Sequence, residues 1–563
     1  MSQKGLSGGQ SDAHPPFPEP QPTGPHAGPA GVAVWAVPLL LTLVAGCSGI
    51  SSAQPWRDEL ATWSAATRPV GDLLRLTRTV DAATGAYYLV VHGWTGVFGD
   101  SVAALRLPSV LAMAGAAGLT GVLGRRLFRA PAGLLAGLLF AVLPGTSRYA
   151  QEARPYALAT LLAVLATVLL VRALDRPGRL RWAGYAAAVA GLGLAHLLAL
   201  GLLAAHAVAV LTFAAWGPPT TGPTRPAAAD RRPGTDGPGD GRWWGRRLPG
   251  WVLAVSAAVV VLVPLLVTAQ RQRSHQLDWV AAARLADLAA LPGALAHSGV
   301  VGGVLVGLAA LGATRSGWRG LLPGLCVLLP VLLVFVAALA VPLWVPRYLF
   351  FTVPFACLLA GAALAGPVPP TGPVPPAGPR LPARPARTRP ARALARPVGA
   401  GLAVVALTAL LGLPDQAAVR HSHGWPRGAT VDYRGAAAVI AAGQRPGDAV
   451  VYAPRDGWLF LDLGIDYHLP RITGDRAADG PRPRDVLVAQ GRRDRADLWV
   501  RECDRPAGCL AGVDRVWLVV AGRHDDPLAA VPGDRGDALR AGFTVEQVRP
   551  RPGVTVALLT RQR

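Results

Sequence analysis

The sequence predicts an all-α polytopic membrane domain of about eleven transmembrane helices, followed by a small extracytoplasmic α/β domain. Three observations carry that expectation. The 563 residues are 52% hydrophobic and only 16% charged, too apolar for a soluble chain of several domains. Apolar runs of about the 20 residues that a spanning helix needs recur from residue 32 to residue 414. Beyond residue 414 the runs shorten and alternate with polar intervals.

The formal charge of +22 raises the class of nucleic-acid binders. Their basic residues cluster on one folded face with aromatics between them, whereas these stand in short loops between apolar runs, which excludes nucleic acid as a partner. Lys4 is the only lysine, so the arginine excess also fits a bias toward GC-rich codons.

Residues 1–31, rich in Pro, Gly, Ser and Gln, read as a disordered cytoplasmic tail. Val32–Ile50 is the first span. Val44-Ala45-Gly46-Cys47 looks like a lipoprotein processing site and Ser51-Ser52-Ala53 like the end of a secretory signal. No compact basic stretch precedes the run, which favours a retained helix. Further spans are predicted at 101–123, 131–146, 156–173, 182–196, 197–216, 249–269, 298–314, 320–341, 347–366 and 398–414. With residue 1 inside, the five inside loops carry Arg125, Arg126 and Arg129, then Arg172 to Arg181, Arg225 to Arg247, Arg315 and Arg319, and Arg380 to Arg396. The outside connections are mixed in sign. This asymmetry orients the chain in the plasma membrane with the N-terminus cytoplasmic and the tail outside. Two inside loops, 217–248 and 367–397, read as flexible Pro/Gly/Arg-rich insertions that signal topology and lie near membrane lipid headgroups.

The tail, 415–563, predicts a helix from Asp432-Tyr433-Arg434-Gly435 to Ile440 and strands at Ala449–Tyr452, Arg515–Val520 and Val554–Leu559, an α/β pattern without a dinucleotide fingerprint. Cys503 and Cys509 form a small disulfide if the tail is outside. Cys47, Cys326 and Cys357, in apolar runs, read as packing residues.

Candidate chemistry gathers in three outside segments. The loop 51–100 opens with Gln54-Pro55-Trp56-Arg57-Asp58-Glu59-Leu60, continues through the amphipathic Val70–Leu76, and carries Tyr87, Tyr88, His92 and Trp94, which are expected at headgroup depth. Asp58 and Glu59 also suit a helix cap. The second segment is Ser147-Arg148-Tyr149-Ala150-Gln151-Glu152-Ala153-Arg154-Pro155-Tyr156, dense in polar groups where a turn would suffice. Ionisable groups at a membrane boundary are costly and so point to function. The third is Trp344-Val345-Pro346-Arg347-Tyr348. For the arginines, snorkelling to the interface is the plain alternative.

Asp58-Glu59 after the first span, Leu105-Arg106-Leu107-Pro108-Ser109 at the second, and Gln151-Glu152-Ala153-Arg154-Pro155-Tyr156 together resemble the GT-C superfamily of membrane glycosyltransferases. The similarity is to the bacterial branch akin to protein O-mannosyltransferases and the lipid A aminoarabinose transferase, and it covers about residues 32–360. The resemblance implies transfer of a sugar, mannose or another hexose or pentose, from a polyprenyl-phosphate donor to a glycan, lipid or protein hydroxyl outside the cytoplasm. It implies Asp58 as the base, Glu59 orienting the acceptor or a metal, and Glu152 as a second acidic group. Arg154 and Arg347 would clamp the lipid phosphate, since guanidinium matches phosphate bidentately. Arg57 is divided between phosphate contact and snorkelling. Gln151, Tyr156 and Tyr348 are substrate or interface residues. A divalent ion on Asp58, Glu152 and His275 suits hard oxygen ligands, though the spacing carries no metal signature. A flippase of a lipid-linked sugar and a noncatalytic envelope assembly protein are the rival classes; the first calls for charges or broken helices near the bilayer midplane.

Overall fold

The computed structural model describes residues 29–216, 244–277, 280–366, 391–422, 431–455, 457–474 and 482–562. The predicted N-terminal tail and the greater part of the two basic insertions lie outside the described residues.

All eleven predicted spans are helical. They correspond to α1 (Pro29–Cys47), α5 (Val102–Leu127), α6 (Ala130–Val142) with α7 (Pro144–Ala150), α8 (Tyr156–Asp175), α9 (Arg179–Ala195), α10 (Leu202–Trp216), α11 (Trp244–Leu277), α13 (Gly299–Ser316), α14 (Leu321–Ala338), α15 (Val353–Leu364) and α16 (Ala391–Ser422). Among the described residues, six helical stretches are long and apolar enough to cross a membrane. A seventh is added if α6 and α7, bent by 67° at Leu143, count as one span. The count of eleven is therefore not established by length and composition. Several segments read as separate spans are short helices, and α13 and α14 follow each other within one apolar stretch.

The bundle packs through small residues, as apolar helices in lipid do. Gly121 of α5 abuts the backbone of Val34 in α1, and Gly124 faces Gly133 of α6, so that a Cβ at either glycine would strike backbone. Helix α1 is thus an integral wall of the bundle.

Between α1 and α5 the chain makes three short helices: α2 (Arg57–Ala66), α3 (Val70–Thr79) and α4 (Gly85–Phe98). Leu73 and Leu76 of α3 are buried on its apolar face. Tyr87 and Tyr88, expected at headgroup depth, are instead 2% and 0% exposed. They sit in a core shared with the C-terminal residues, so burial against protein replaces the interface. A further helix, α12 (Leu285–Ala296), lies in the connection between α11 and α13.

The C-terminal part contains α17 (Tyr433–Gly443), α18 (Leu461–Thr473), α19 (Pro506–Cys509) and α20 (Gly533–Gly542). Its strands are β1 (Ala449–Ala453), β2 (Arg484–Asp485), β3 (Val488–Gln490), β4 (Arg501–Glu502), β5 (Arg515–Ala521), β6 (Phe543–Arg551) and β7 (Val554–Arg561). Five strands form one sheet in the order β2-β1-β5-β7-β6, parallel from β2 to β5 and antiparallel beyond, while β3 and β4 pair separately. The predicted helix at 432–440 and the three predicted strands are all present. Cys503 and Cys509 are disulfide-bonded.

This sheet domain docks on α2–α4. The Gln54 amide donates to Asp432 (3.4 Å) and accepts from the Arg434 backbone (2.9 Å), and Arg68 donates to the Asp497 carbonyl (2.7 Å). Asp100 receives both Trp63 and Arg471 at 2.7 Å. At the far ends of α1 and α5 stand Arg125, Arg126 and Arg129 instead. There Arg126 pairs with Asp175, Arg125 reaches the Gly31 carbonyl, and Arg129 reaches the Gly366 carbonyl. The candidate residues Asp58, Glu152, Arg154 and Arg347 lie at the sheet-domain end.

Candidate active site

The site begins with an ion pair that holds it in shape. Arg106, four residues into α5, is fully buried and grips Glu59 bidentately, Nε to Oε1 at 2.8 Å and Nη2 to Oε2 at 2.7 Å. Its remaining donors go to the carbonyls of Ile50, Ala53 and Gln54. Glu59 also accepts from the Ala153 amide (2.9 Å) and, at the start of α2, from the Trp56 amide (3.3 Å). One buried ion pair thereby joins the end of α1, the first turn of α2, α5 and the turn before α8. At 1% exposure Glu59 has no surface to offer a substrate, which corrects its expected role in orienting an acceptor or metal. The helix-cap reading holds for this half of the acidic pair.

Asp58, one residue earlier, turns the other way. Its carboxylate lies 3.5 Å from Arg57 Nε and 3.7 Å from Arg347 Nη2, with 14% of the side chain exposed. Arg347 comes from the 3₁₀ segment Pro346–Thr352. Its Nε donates to the Tyr156 hydroxyl (3.1 Å), and its guanidinium lies over the Trp56 and Tyr348 rings at 5.7 and 5.5 Å. The loop arginines are therefore held by rings and hydroxyls, and simple snorkelling does not describe Arg347.

Arg154 approaches from the turn before α8. Its Nη1 lies 3.5 Å from the Tyr88 hydroxyl and 3.9 Å from Asp81, and its buried Nε has no hydrogen-bond partner among the described residues. Asp81 is a second carboxylate of the basin, and it was not among the candidates named from the sequence. It sits in the left-handed backbone region (φ 54°), receives hydroxyl hydrogen bonds from Tyr88 and from Thr84 (2.7 Å), and burial holds its carboxyl above the ordinary range despite Arg154. Its signal in the sequence was an acid placed seven residues before the aromatic Tyr88, in the same outside loop as Asp58.

Glu152 is 1% exposed and pairs with Arg148 (2.8 Å). Burial pushes its carboxyl up, and Oε1 has no partner among the described residues. Arg148, also missed, lies over the Trp56 ring at 5.4 Å, so Trp56 is flanked by Arg57, Arg148 and Arg347. Gln151 is a staple, donating to the carbonyls of Gly46 and Ser48 at 2.9 and 2.7 Å. Tyr156 is 4% exposed and packs with Tyr348 and His196, so it is no interfacial anchor. Among the described residues, no group of three or more His, Cys, Asp or Glu side chains could hold a metal ion. Asp58 and Glu152 face different arginines, and the His275 side chain lies outside the described residues.

Residues 85–222 match the family of dolichyl-phosphate-mannose-protein mannosyltransferases. No curated protein sequence matches the chain. Solved structures match nearly throughout the chain. ArnT from Cupriavidus metallidurans in the apo state matches with a TM-score of 0.57 at 15% identity, covering 93% of this chain and 97% of that one. The same protein bound to undecaprenyl phosphate matches with a TM-score of 0.56 at 14% identity and the same coverage. The chain thus has the fold of ArnT over nearly its whole length, in line with the resemblance in its sequence.

Proposed function

We propose that the protein is a multi-pass membrane glycosyltransferase that moves a sugar from a polyprenyl-phosphate carrier to a hydroxyl acceptor by inverting displacement. Residues 32–414 form the catalytic membrane domain and 415–563 an extracytoplasmic domain, with the N-terminus cytoplasmic. The observation that carries this reading is the basin in which Asp58 faces Arg347, with the under-used guanidinium of Arg154 nearby. The fold it shares with a protein that binds undecaprenyl phosphate supports the choice of carrier.

The chemistry follows from the residue types. The acceptor oxygen attacks the anomeric carbon as its proton passes to the Asp58 carboxylate. The bond from that carbon to the phosphate oxygen breaks, and the polyprenyl phosphate leaves with one more negative charge. Arg154 and Arg347 bind the phosphate and answer that charge as it develops. Arg57, the most exposed of the three, contacts the phosphate at the rim. Asp81 and Tyr88 hold Arg154, and Tyr156 and Trp56 hold Arg347. No step is assigned to a divalent ion, because Asp58 and Glu152 do not share a ligand set.

The test is mass spectrometry of lipid-linked donors in cells with and without the protein, paired with purified protein and the donor so found. Accumulation of one polyprenyl-phosphate sugar in its absence, and release of polyprenyl phosphate on adding protein and acceptor, support the reading. Movement of intact donor between leaflets without cleavage would sink it in favour of a flippase.

A further inference from the structure

A second feature lies outside the basin. In the C-terminal domain, α17, α18 and the β1–β2 edge of the sheet enclose a cavity of about 260 Å³. That is slightly below the roughly 300–1,000 Å³ of sites for drug-sized ligands, and it fits a sugar ring or a short piece of glycan. Ile465 and Leu469 of α18 supply an apolar wall, and Tyr452, Asp466 and Asp485 supply polar groups. Tyr452 is 2% exposed, and its hydroxyl has no hydrogen-bond partner among the described residues although it lines the cavity. Asp485 pairs with Arg455 at 2.6 Å and Asp466 with Arg492 at 3.1 Å; these guanidiniums are shared with Asp462 and, for Arg455, with Glu502, while Arg535 also pairs with Glu502 and Arg482 adds a further cation to the lining, so that four carboxylates meet four guanidiniums around the cavity. Their charge is therefore balanced within the protein while lone pairs remain for donors. An ammonium ligand would find no uncompensated charge here. A neutral ligand rich in hydroxyls, with an apolar C–H face, would find partners for both its surfaces.

We propose that this cavity binds a sugar residue of a neutral, extended glycan acceptor, an assignment that rests on the glycosyltransferase reading and narrows its acceptor class. The position argues for an extended chain. Helix α18 stands between the cavity and α2, because its other side carries Tyr467, packed on Trp63 of α2 at 5.2 Å. The cavity is thus separated from the helix of Asp58 by a helix diameter, roughly 10 Å. A sugar held there cannot be the one that reacts, but a glycan long enough to pass around α18 presents another residue to the basin.

The experiment uses the full chain in lipid nanodiscs, titrated with neutral oligosaccharides derived from mannan, galactan and arabinan. Binding is read by saturation-transfer NMR, and binding of polyprenyl phosphate is measured in parallel. The expected result is that at least one oligosaccharide binds the wild type. Tyr452→Phe, which removes one hydroxyl, weakens it by about 5-fold, the size of a lost neutral hydrogen bond. Leu469→Trp, which fills the cavity, abolishes it, while polyprenyl phosphate binds all three proteins alike. Should Leu469→Trp fail to fold, Tyr452→Phe decides. Absence of binding by every oligosaccharide, or unchanged binding in a well-folded Tyr452→Phe, overturns the assignment even if the donor is cleaved. Oligosaccharide binding of the expected pattern without any donor cleavage supports the cavity and contradicts the transferase reading alone.

Discussion

Two neighbouring carboxylates, Asp58 and Glu59, end in opposite physical states, and the contrast separates scaffold from chemistry. Glu59 is gripped by Arg106 in a buried pair with both oxygens satisfied, so its charge is spent on joining four segments. Asp58 is held more loosely, 3.7 Å from Arg347 at the edge of a basin that also contains Arg154 and Asp81. A closed pair with every donor satisfied resists rearrangement. A carboxylate near the under-used guanidinium of Arg154 can exchange its partners for a substrate's. The closed region fixes the backbone of the open one, since α2 carries both residues.

Breaking the closed pair gives the largest expected loss of stability. Glu59→Ala or Arg106→Ala leaves an unpaired buried charge and costs about 3–5 kcal/mol. Thermal melting of the purified protein in detergent reads this as a large fall in Tm, and a melt within experimental error of the wild type contradicts the staple. Next in size are the guanidiniums of the open basin. Arg154→Gln or Arg347→Gln removes charge-assisted contacts worth about 1.5–3 kcal/mol each, so affinity for polyprenyl phosphate falls about 10-fold or more with little change in Tm. Equal affinity in both variants places the phosphate elsewhere.

A smaller effect tests the domain that caps this face. His468 of α18 is buried with its Nε2 unpartnered among the described residues, and burial lowers its pKa from 6.5 to about 4. The unfolded chain therefore binds this proton at a higher pH than the folded one. Stability contributed by the neutral ring is complete above 6.5 and is lost as pH falls toward 4. His468→Gln should flatten the fall in Tm over that window; an unaltered slope removes His468 as its source.

The helical frame was legible because apolar runs in a lipid-spanning chain can satisfy their backbone only as helices. The division of labour within Asp58-Glu59 was not, because Arg106 lies 47 residues away from Glu59 and nothing local in the sequence pairs them. Asp81 and Arg148 were overlooked for a related reason. A charge reads the same in sequence whether it faces water, a tyrosine hydroxyl or a tryptophan ring. Gln151, singled out for its place in a polar run, proved to tie two carbonyls at the end of α1, a role that only packing reveals.

The division between the two carboxylates is tested most directly by the single-turnover rate of sugar transfer in purified Asp58→Asn, measured beside its melting temperature. The account predicts a melt like that of the wild type and a transfer rate lower by about 10²–10⁴-fold, the contribution of a general base. Transfer at the wild-type rate by a well-folded Asp58→Asn protein would contradict it.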